Sequence, residues 1–433
     1  MRIIIHRGSD QIGGCITEIR TAKSKILIDL GRNLPQGDRP ADDEMDNAEA
    51  IQKLCEDCDA VFYTHYHGDH INLFRHVPAS VPQYIGPLAK RVMQTKLKRL
   101  ARIDATKTAS LARLDRFHTY NAAQRRRIGK DILVTPYFVS HSAADAYMFL
   151  IEAEGKRILH TGDFRGHGYL GRGLMKVLTT EVVPQGVDVL ICEGTMLRRE
   201  DEEIRRESEL QLRATEVMRR YKNVFVLCSS TDIDRLATFH AANRQQLCRP
   251  LVCDRYQGDL LQLFSETAGS RSPLFAFTHK VIASNERNEN LRDWMLKDGF
   301  TMLVRISNRF RHWVETLLPL LNPDETVLCY SMFRGYILPS HSAFKPQTKA
   351  FVDLFPNIEY LHTSGHASAT TLAEVCRTVR PRMAIVPIHR EEDSDFSALD
   401  IGDDLRRRIV ATESCTMDGI EFIIKKKRSL NDD

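Results

Sequence analysis

Residues 61–70 read VFYTHYHGDH, an apolar run followed at once by His65, His67, Asp69 and His70. A strand that ends in a loop can fan neighbouring side chains toward one point. Imidazole and carboxylate both bind zinc or manganese. An ordinary polar surface loop gives no reason for four ligand-type residues at this spacing. The four cannot complete two coordination shells by themselves, so further donors must come from other strand ends.

The remaining runs of the first 195 residues supply candidates. RIIIH, CITEI, KILIDLG, DILVTPYFV, YMFLIEA, KRILHTGDF and VDVLICEGT are short and apolar or alternating, the pattern of strands, and most end in Gly, Asp, His or Thr. PYFVSHS ends with His141 and RILHTGDFRG carries Asp163; KILIDLG places Asp29 at a strand end in the same way. Later in the chain, YLHTSGHAS carries His366 and AIVPIHRE ends with His389. A single strand-end histidine is more often structural than a ligand. The shared placement of all of them, each just behind an apolar strand, is what raises them together. The exception to the strand pattern is residues 87–103, a helix opened by a proline.

The texture changes near residue 196. A charged helix leads into the strand NVFVLCSS, and helices then alternate with strands to about residue 345, which suggests a parallel sheet covered by helices. The tail alternates again: a helix near 347–354, a strand IEYLHT, a helix over 368–379, a strand MAIVPI, a helix near 397–410 and a final strand GIEFIIKKK. No flexible linker separates these parts, which favours an inserted domain over domains in series. The expected organisation is a host domain in 1–195, an insert in 196–345 and a return of the host domain in 346–433.

In this order the motifs resemble the metallo-β-lactamase fold and, within it, the β-CASP nucleases, with ribonuclease J the nearest likeness. THYHGDH is similar to the family's His-x-His-x-Asp-His signature, LIDLG to its first motif, VSHSAADAYMF to its third and HTGDF to its fourth. CEGT resembles the β-CASP acidic motif, and HTSGHAS and VPIHRE its two later histidine motifs. The chain departs from that pattern after His70, where it reads INLF, and it stops too soon to hold the further C-terminal assembly domain of ribonuclease J. A homo-oligomer therefore rests on no such domain.

The resemblance implies an αββα metallo-β-lactamase sandwich with an inserted α/β β-CASP domain. It also implies two divalent metal ions, zinc or manganese. His65, His67 and His141 would hold the first, Asp69, His70 and His389 the second, with Asp163 bridging and Asp29 orienting the histidine loop. Asp69, His366 and Glu193 are expected in catalysis, His366 facing the scissile phosphate and Glu193 holding a histidine in its tautomer. Two ions ~3.5–4 Å apart suit phosphodiester hydrolysis. Ser229 and Ser230, with Thr231, and Ser364, Gly365 and His366 each precede a helix, where free N–H groups favour phosphate.

The implied function is metal-dependent cleavage of single-stranded RNA. A DNA-directed nuclease of the same family, a small-molecule metallohydrolase and a non-catalytic nucleic-acid-binding subunit are the alternatives. Charge decides little among them: 61 basic and 57 acidic residues leave a net +4. Local basic groups exist at Arg91, Lys98 and Arg102, at 125–127 and at 425–428, each as readily a solvated face. The ten cysteines are scattered, mostly in apolar runs, as buried free thiols are in a reducing compartment. Cys55 and Cys58 have no second pair at zinc-site spacing. No apolar stretch approaches the ~20 residues of a membrane span, and the N-terminal run is too short for a signal peptide. The expected location is the cytoplasm, without a membrane partner.

Overall fold

The computed structural model describes residues 1–34, 46–198, 205–246, 249–282, 289–410 and 412–426. Six strands come first: β1 (Arg2–Arg7), β2 (Ile16–Arg20), β3 (Lys25–Ile28), β4 (Ala60–Phe62), β5 (Gln83–Ile85) and β6 (His118–Thr119). Then follow β7 (Arg126–Ile128), β8 (Ile132–Val139), β9 (Ala146–Ala153), β10 (Lys156–His160) and β11 (Val189–Glu193). A middle group comprises β12 (Asn223–Cys228), β13 (Leu251–Cys253), β14 (Lys280–Val281), β15 (Phe300–Val304), β16 (Thr326–Ser331) and β17 (Ile358–Tyr360). The last three are β18 (Ala384–Ile388), β19 (Ser414–Met417) and β20 (Ile420–Ile424).

Two compact units result, and the second interrupts the first in sequence. The first unit has one sheet in the order β19-β20-β1-β2-β3-β4-β5-β6 and another in the order β18-β11-β10-β9-β8-β7. Strands such as β3, β4, β11 and β18 are buried on both faces, and the alternation sorts the side chains. In β3, Ile26 and Ile28 face the core between the sheets, while Leu27 faces the outer layer with Ile51, Met93 and Leu97 of the helices Ala48–Leu54 and Pro87–Leu100. In β11, Val189 and Ile191 join the inner core, while Leu190 and Cys192 pack outward against Leu372, Val375 and Cys376 of the helix Ala369–Val379. Helices thus cover both outer faces of two stacked sheets, the αββα arrangement.

This packing puts the C-terminal ends of β3, β4, β8, β10, β11 and β18 to use together. β3 and β4 run parallel, as do β10, β11 and β18, and β8 shares their direction because β9 is antiparallel to both β8 and β10. Backbone bonds then tie the ends: Tyr147 N–H donates to Thr64 O at 3.0 Å across the sandwich, and Arg165 N–H to Ser140 O at 2.7 Å behind β10 and β8 of one sheet.

The second unit has one sheet, β14-β13-β15-β12-β16-β17, parallel throughout. Phe225, Val252, Met302 and Leu328 of the strands pack with Phe310, Val314, Phe351 and Val352 of the helices Asn308–Leu317 and Pro346–Val352. Its far boundary differs from the sequence expectation. Residues 346–364, expected in the returning host segment, belong to this unit, which runs to Ser364. The reason is pairing: β17 extends the sheet as a parallel neighbour of β16, and Phe351 and Val352 fill its core. The helix expected near 397–410 is also shorter, a turn at Phe396–Ala398 and one helical turn at Asp403–Arg406 with Gly402 between them.

Among the described residues no helix is long and apolar enough to cross a membrane.

Candidate metal centre

The histidine loop is clamped before any side chain is considered. His67 ends the extended segment behind β4, and Gly68–Ile71 turn once as a helix. Three backbone N–H groups from outside grip that turn: Arg32 to Gly68 O (3.1 Å), Cys15 to Asp69 O (3.0 Å) and Leu30 to His70 O (2.7 Å). Gly31 lets the gripping strand end approach, since a Cβ there would overlap the backbone of Asp69.

Polar side chains then fix the rings. Asp29, held in the left-handed region at φ 60, accepts from Thr64 N–H and Thr64 Oγ1–H, both at 2.8 Å, and lies 2.7 Å from His70 Nδ1. Strain of this kind at a non-glycine residue persists where surroundings over-determine it. Thr64 Oγ1 also lies 3.0 Å from His65 Nδ1. His141 Nδ1–H donates to the carbonyl of Gly365 at 2.6 Å. Gly365 is close for that reason: a Cβ would collide with Ser142. His389, at φ 49, is held through Nδ1 by Thr195 Oγ1 at 2.7 Å. In each of these four histidines one nitrogen is occupied, which turns the other inward.

The inward atoms converge. Donor atoms of His65, His67 and His141 lie within 4.8 Å of one another. Asp163 Oδ2 lies 3.0 Å from His70 Nε2, 3.6 Å from His389 Nε2 and 3.9 Å from both His65 Nε2 and His141 Nε2. Asp69 Oδ2 is 3.3 Å from His389 Nε2 and 3.9 Å from His70 Nε2. The buried atoms His65 Nε2, His70 Nε2 and Asp163 Oδ1 make no hydrogen bond. Buried polar atoms without partners are costly, so a cluster of them around one point suits a bound cation. Imidazole and carboxylate are the donors that divalent ions of the zinc and manganese type take, and the residues present fit such ions.

Electrostatics point the same way. Burial and neighbouring imidazoles hold His65 and His141 well below the usual histidine range, and burial holds His67 down at about 4, so these rings are neutral donors. Burial works against the charge of Asp163, but the imidazoles of His389 and His70 outweigh it and keep the carboxyl well below its ordinary value. His70 is the exception among the histidines. Burial lowers it, yet Asp163, Cys15, Asp29 and Asp69 around it prevail and raise it.

Glu193 and His366 form an adjoining pair. Glu193 is fully buried at the end of β11, an internal strand, and accepts from Phe164 N–H at 3.0 Å and Thr195 Oγ1–H at 2.7 Å. His366 Nδ1 lies 3.1 Å from Glu193 Oε2 and 3.1 Å from Thr195 Oγ1. His366 does not cap the helix Ala369–Val379; the Ser368 side chain does, accepting from Thr371 N–H.

The other phosphate-binding expectations fare differently. Gly365 packs its backbone on His141, as described. Ser364 is the buried last residue of the second unit. Ser229 and Ser230 also lie in the second unit, behind β12, ahead of a helix that starts only at Ile233. Asp232 holds the cap position there and accepts from Arg235 N–H at 3.2 Å, so a carboxylate already occupies the helix end where a phosphate was expected. The basic groups at 125–127 are engaged locally: Arg125 pairs with Glu152, Arg126 lies over the Tyr84 ring and Arg127 donates to Lys130 O. Arg91, Lys98 and Arg102 are exposed, and Lys427 and Arg428 lie outside the described residues.

Sequence reasoning passed over Thr195, Thr64 and Cys15. Thr195 stands in the quoted CEGT and Thr64 in THYHGDH, but a hydroxyl's partners are set by folding, and no spacing rule marks it.

Residues 25–226, a little under half of the chain, match the model of the beta-lactamase superfamily domain, a likeness that fits stacked sheets with a histidine–aspartate cluster at their strand ends. Two curated relatives come from Methanocaldococcus jannaschii. "Probable RNase MJ4" is 28% identical over 207 residues, 45% of each chain. "RNase J-like protein" is 27% identical over 192 residues, 44% of this chain and 41% of the relative. The matches thus span less than half the length of these relatives. The crystal structure of a protein of unknown function from Enterococcus faecalis V583 superposes with a TM-score of 0.68 at 19% identity, covering 92% of this chain and 96% of that one, a likeness of fold.

Proposed function

We propose that the chain is a metal-dependent nuclease of the β-CASP type that hydrolyses phosphodiester bonds of single-stranded RNA. The observation that carries the reading is the convergence of seven donors, His65, His67, Asp69, His70, His141, Asp163 and His389, around orphaned buried nitrogens. The names of the two M. jannaschii relatives support the choice of RNA.

In this reading His65, His67 and His141 hold one ion, Asp69, His70 and His389 a second, and Asp163 stands between them. Bound divalent ions supply positive charge to a phosphodiester and acidify water near neutral pH. Asp29, Thr64, Thr195 and the Gly365 carbonyl keep the imidazoles oriented, so that no reorganisation is needed on binding. Glu193 holds His366 by Nδ1, which leaves Nε2 to deliver a proton to the departing 3′-oxygen. The nine described cysteines are all free, which suits a reducing compartment such as the cytoplasm. The inserted unit favours a polymer over a small molecule, for which such an addition has no use.

The test is incubation of the metal-loaded protein with end-labelled RNA and DNA bearing 5′-monophosphate or 5′-hydroxyl ends. Metal-dependent RNA cleavage is expected, and the product ladder separates end-directed from internal cutting. Cleavage of DNA alone, or of neither polymer, overturns the reading.

A further inference from the structure

Cys15 reads in the sequence as one of ten ordinary buried thiols. The fold gives it a different neighbourhood. It stands directly before β2 and is 2% exposed; its N–H donates to Asp69 O and its carbonyl accepts from Gly31 N–H, both at 3.0 Å. Its Sγ, a ring nitrogen of His70 and a ring nitrogen of His389 lie within 4.8 Å of one another. Gly8 closes the far side of the sulfur, where a Cβ would meet Sγ at 3.0 Å, and the Gly8 carbonyl also accepts from His389 N–H at 2.6 Å. Sulfur, His389 and the histidine loop are therefore packed into one knot.

An independent observation points to a ligand here. His70 is 1% exposed, and its Nδ1 is taken by Asp29. Its Nε2 makes no hydrogen bond, although Asp163 Oδ2 is 3.0 Å away. Cys15 Sγ thus stands within ligand distance of ring nitrogens from two histidines of the cluster, one of which, His70, keeps a buried nitrogen without a hydrogen bond.

We propose that Cys15 is a sulfur ligand of the Asp69–His70–His389 half of the metal centre, and that it makes that half select zinc over manganese. The proposal rests on the metal-centre reading and is independent of the substrate. On coordination the Sγ–H bond breaks, its proton leaves to solvent, and the sulfur lone pair forms the bond to the divalent ion; nothing is oxidised or reduced. Thiolate favours zinc, whereas manganese prefers carboxylate and water. The His65–His67–His141 half offers three imidazoles and the shared Asp163 carboxylate, with no thiol in its donor group among the described residues, so the two positions differ in the metal they retain.

The full-length protein is stripped with chelator and titrated with cobalt(II), zinc(II) and manganese(II). Two cobalt ions per chain are expected, one of them giving a thiolate-to-cobalt charge-transfer band in the near ultraviolet. Cys15→Ser should lose that band and weaken zinc at one position by at least the ~10–100-fold that loss of a merely supporting group costs, with manganese affinity unchanged. The Cys55→Ser/Cys58→Ser protein should keep the band. Zinc-edge X-ray absorption of the unmutated protein, which needs no variant to fold, should show sulfur at ~2.3 Å. Two bound ions with only nitrogen and oxygen scatterers, or a band that survives in Cys15→Ser, overturns the proposal alone. A wild-type protein that binds no cobalt overturns the metal centre along with it.

Discussion

Nδ1 of His70 lies 2.7 Å from the Asp29 carboxylate, which reaches it across the sheet end from a left-handed backbone position. The pair shows how the centre is held: a buried anion accepts one ring N–H and so aims the other nitrogen inward. Asp29→Asn keeps a residue type that tolerates this backbone but removes the charge. Metal affinity, measured by competition with a chromophoric chelator, should fall ~10–100-fold while circular dichroism stays native. Unchanged affinity would show that Asp29 is structural only.

Asp163 is the carboxylate nearest the centre of the cluster, with His366 Nδ1 also within 3.8 Å of Oδ2. Asp163→Asn should abolish hydrolysis and lower metal content read by mass spectrometry. Full activity of wild-type protein washed free of metal would sink the two-metal reading.

His366 is one-fifth exposed, unlike the buried rings around it. His366→Ala should keep both metals and RNA affinity and lose turnover by ~10²–10⁴-fold, the usual contribution of a positioned acid. Loss of metal in this variant would make His366 a ligand. Wild-type turnover would make it structural.

Cys55 is buried in the outer layer and Cys58 Sγ–H donates to Ala60 O, with burial pushing the two thiols up to about 11 and about 12. Replacing both with serine should leave metal stoichiometry unchanged. Loss of one ion per chain would reveal a site there.

His240, in the inserted unit, accepts from Thr278 N–H at 3.0 Å through Nε2 and is held at about 4 by burial and then by Arg244 and His279. Its folded value lies below the unfolded one, so its contribution to stability is complete above pH 6.5 and is lost as pH falls toward 4. That contribution is on the order of 2 kcal/mol. Denaturant midpoints should fall less steeply over this window for His240→Gln than for the wild type. Parallel slopes would exclude it.

Much of the centre was legible in the order of residues. Strands buried on both faces need apolar runs, and their ends are where backbone stops pairing and side chains can turn to a common point; hence THYHGDH, VSHS, HTGDF and VPIHR announced their histidines and Asp163. The alternation that sends Ile26 and Ile28 inward and Leu27 outward is likewise a property of a period of two.

Only the tertiary structure decided the rest. Thr195 Oγ1 serves His389 at a sequence separation of 194, and Glu193 serves His366 at 173. The parallel pairing of β17 with β16 carried the inserted unit past residue 345 to Ser364. Asp232 took a helix end where serines were expected. Cys15 came under the histidine loop through two backbone hydrogen bonds. A hydroxyl, a thiol or an edge strand carries no periodic signal of its partner, because that partner is chosen by packing between elements distant in the chain.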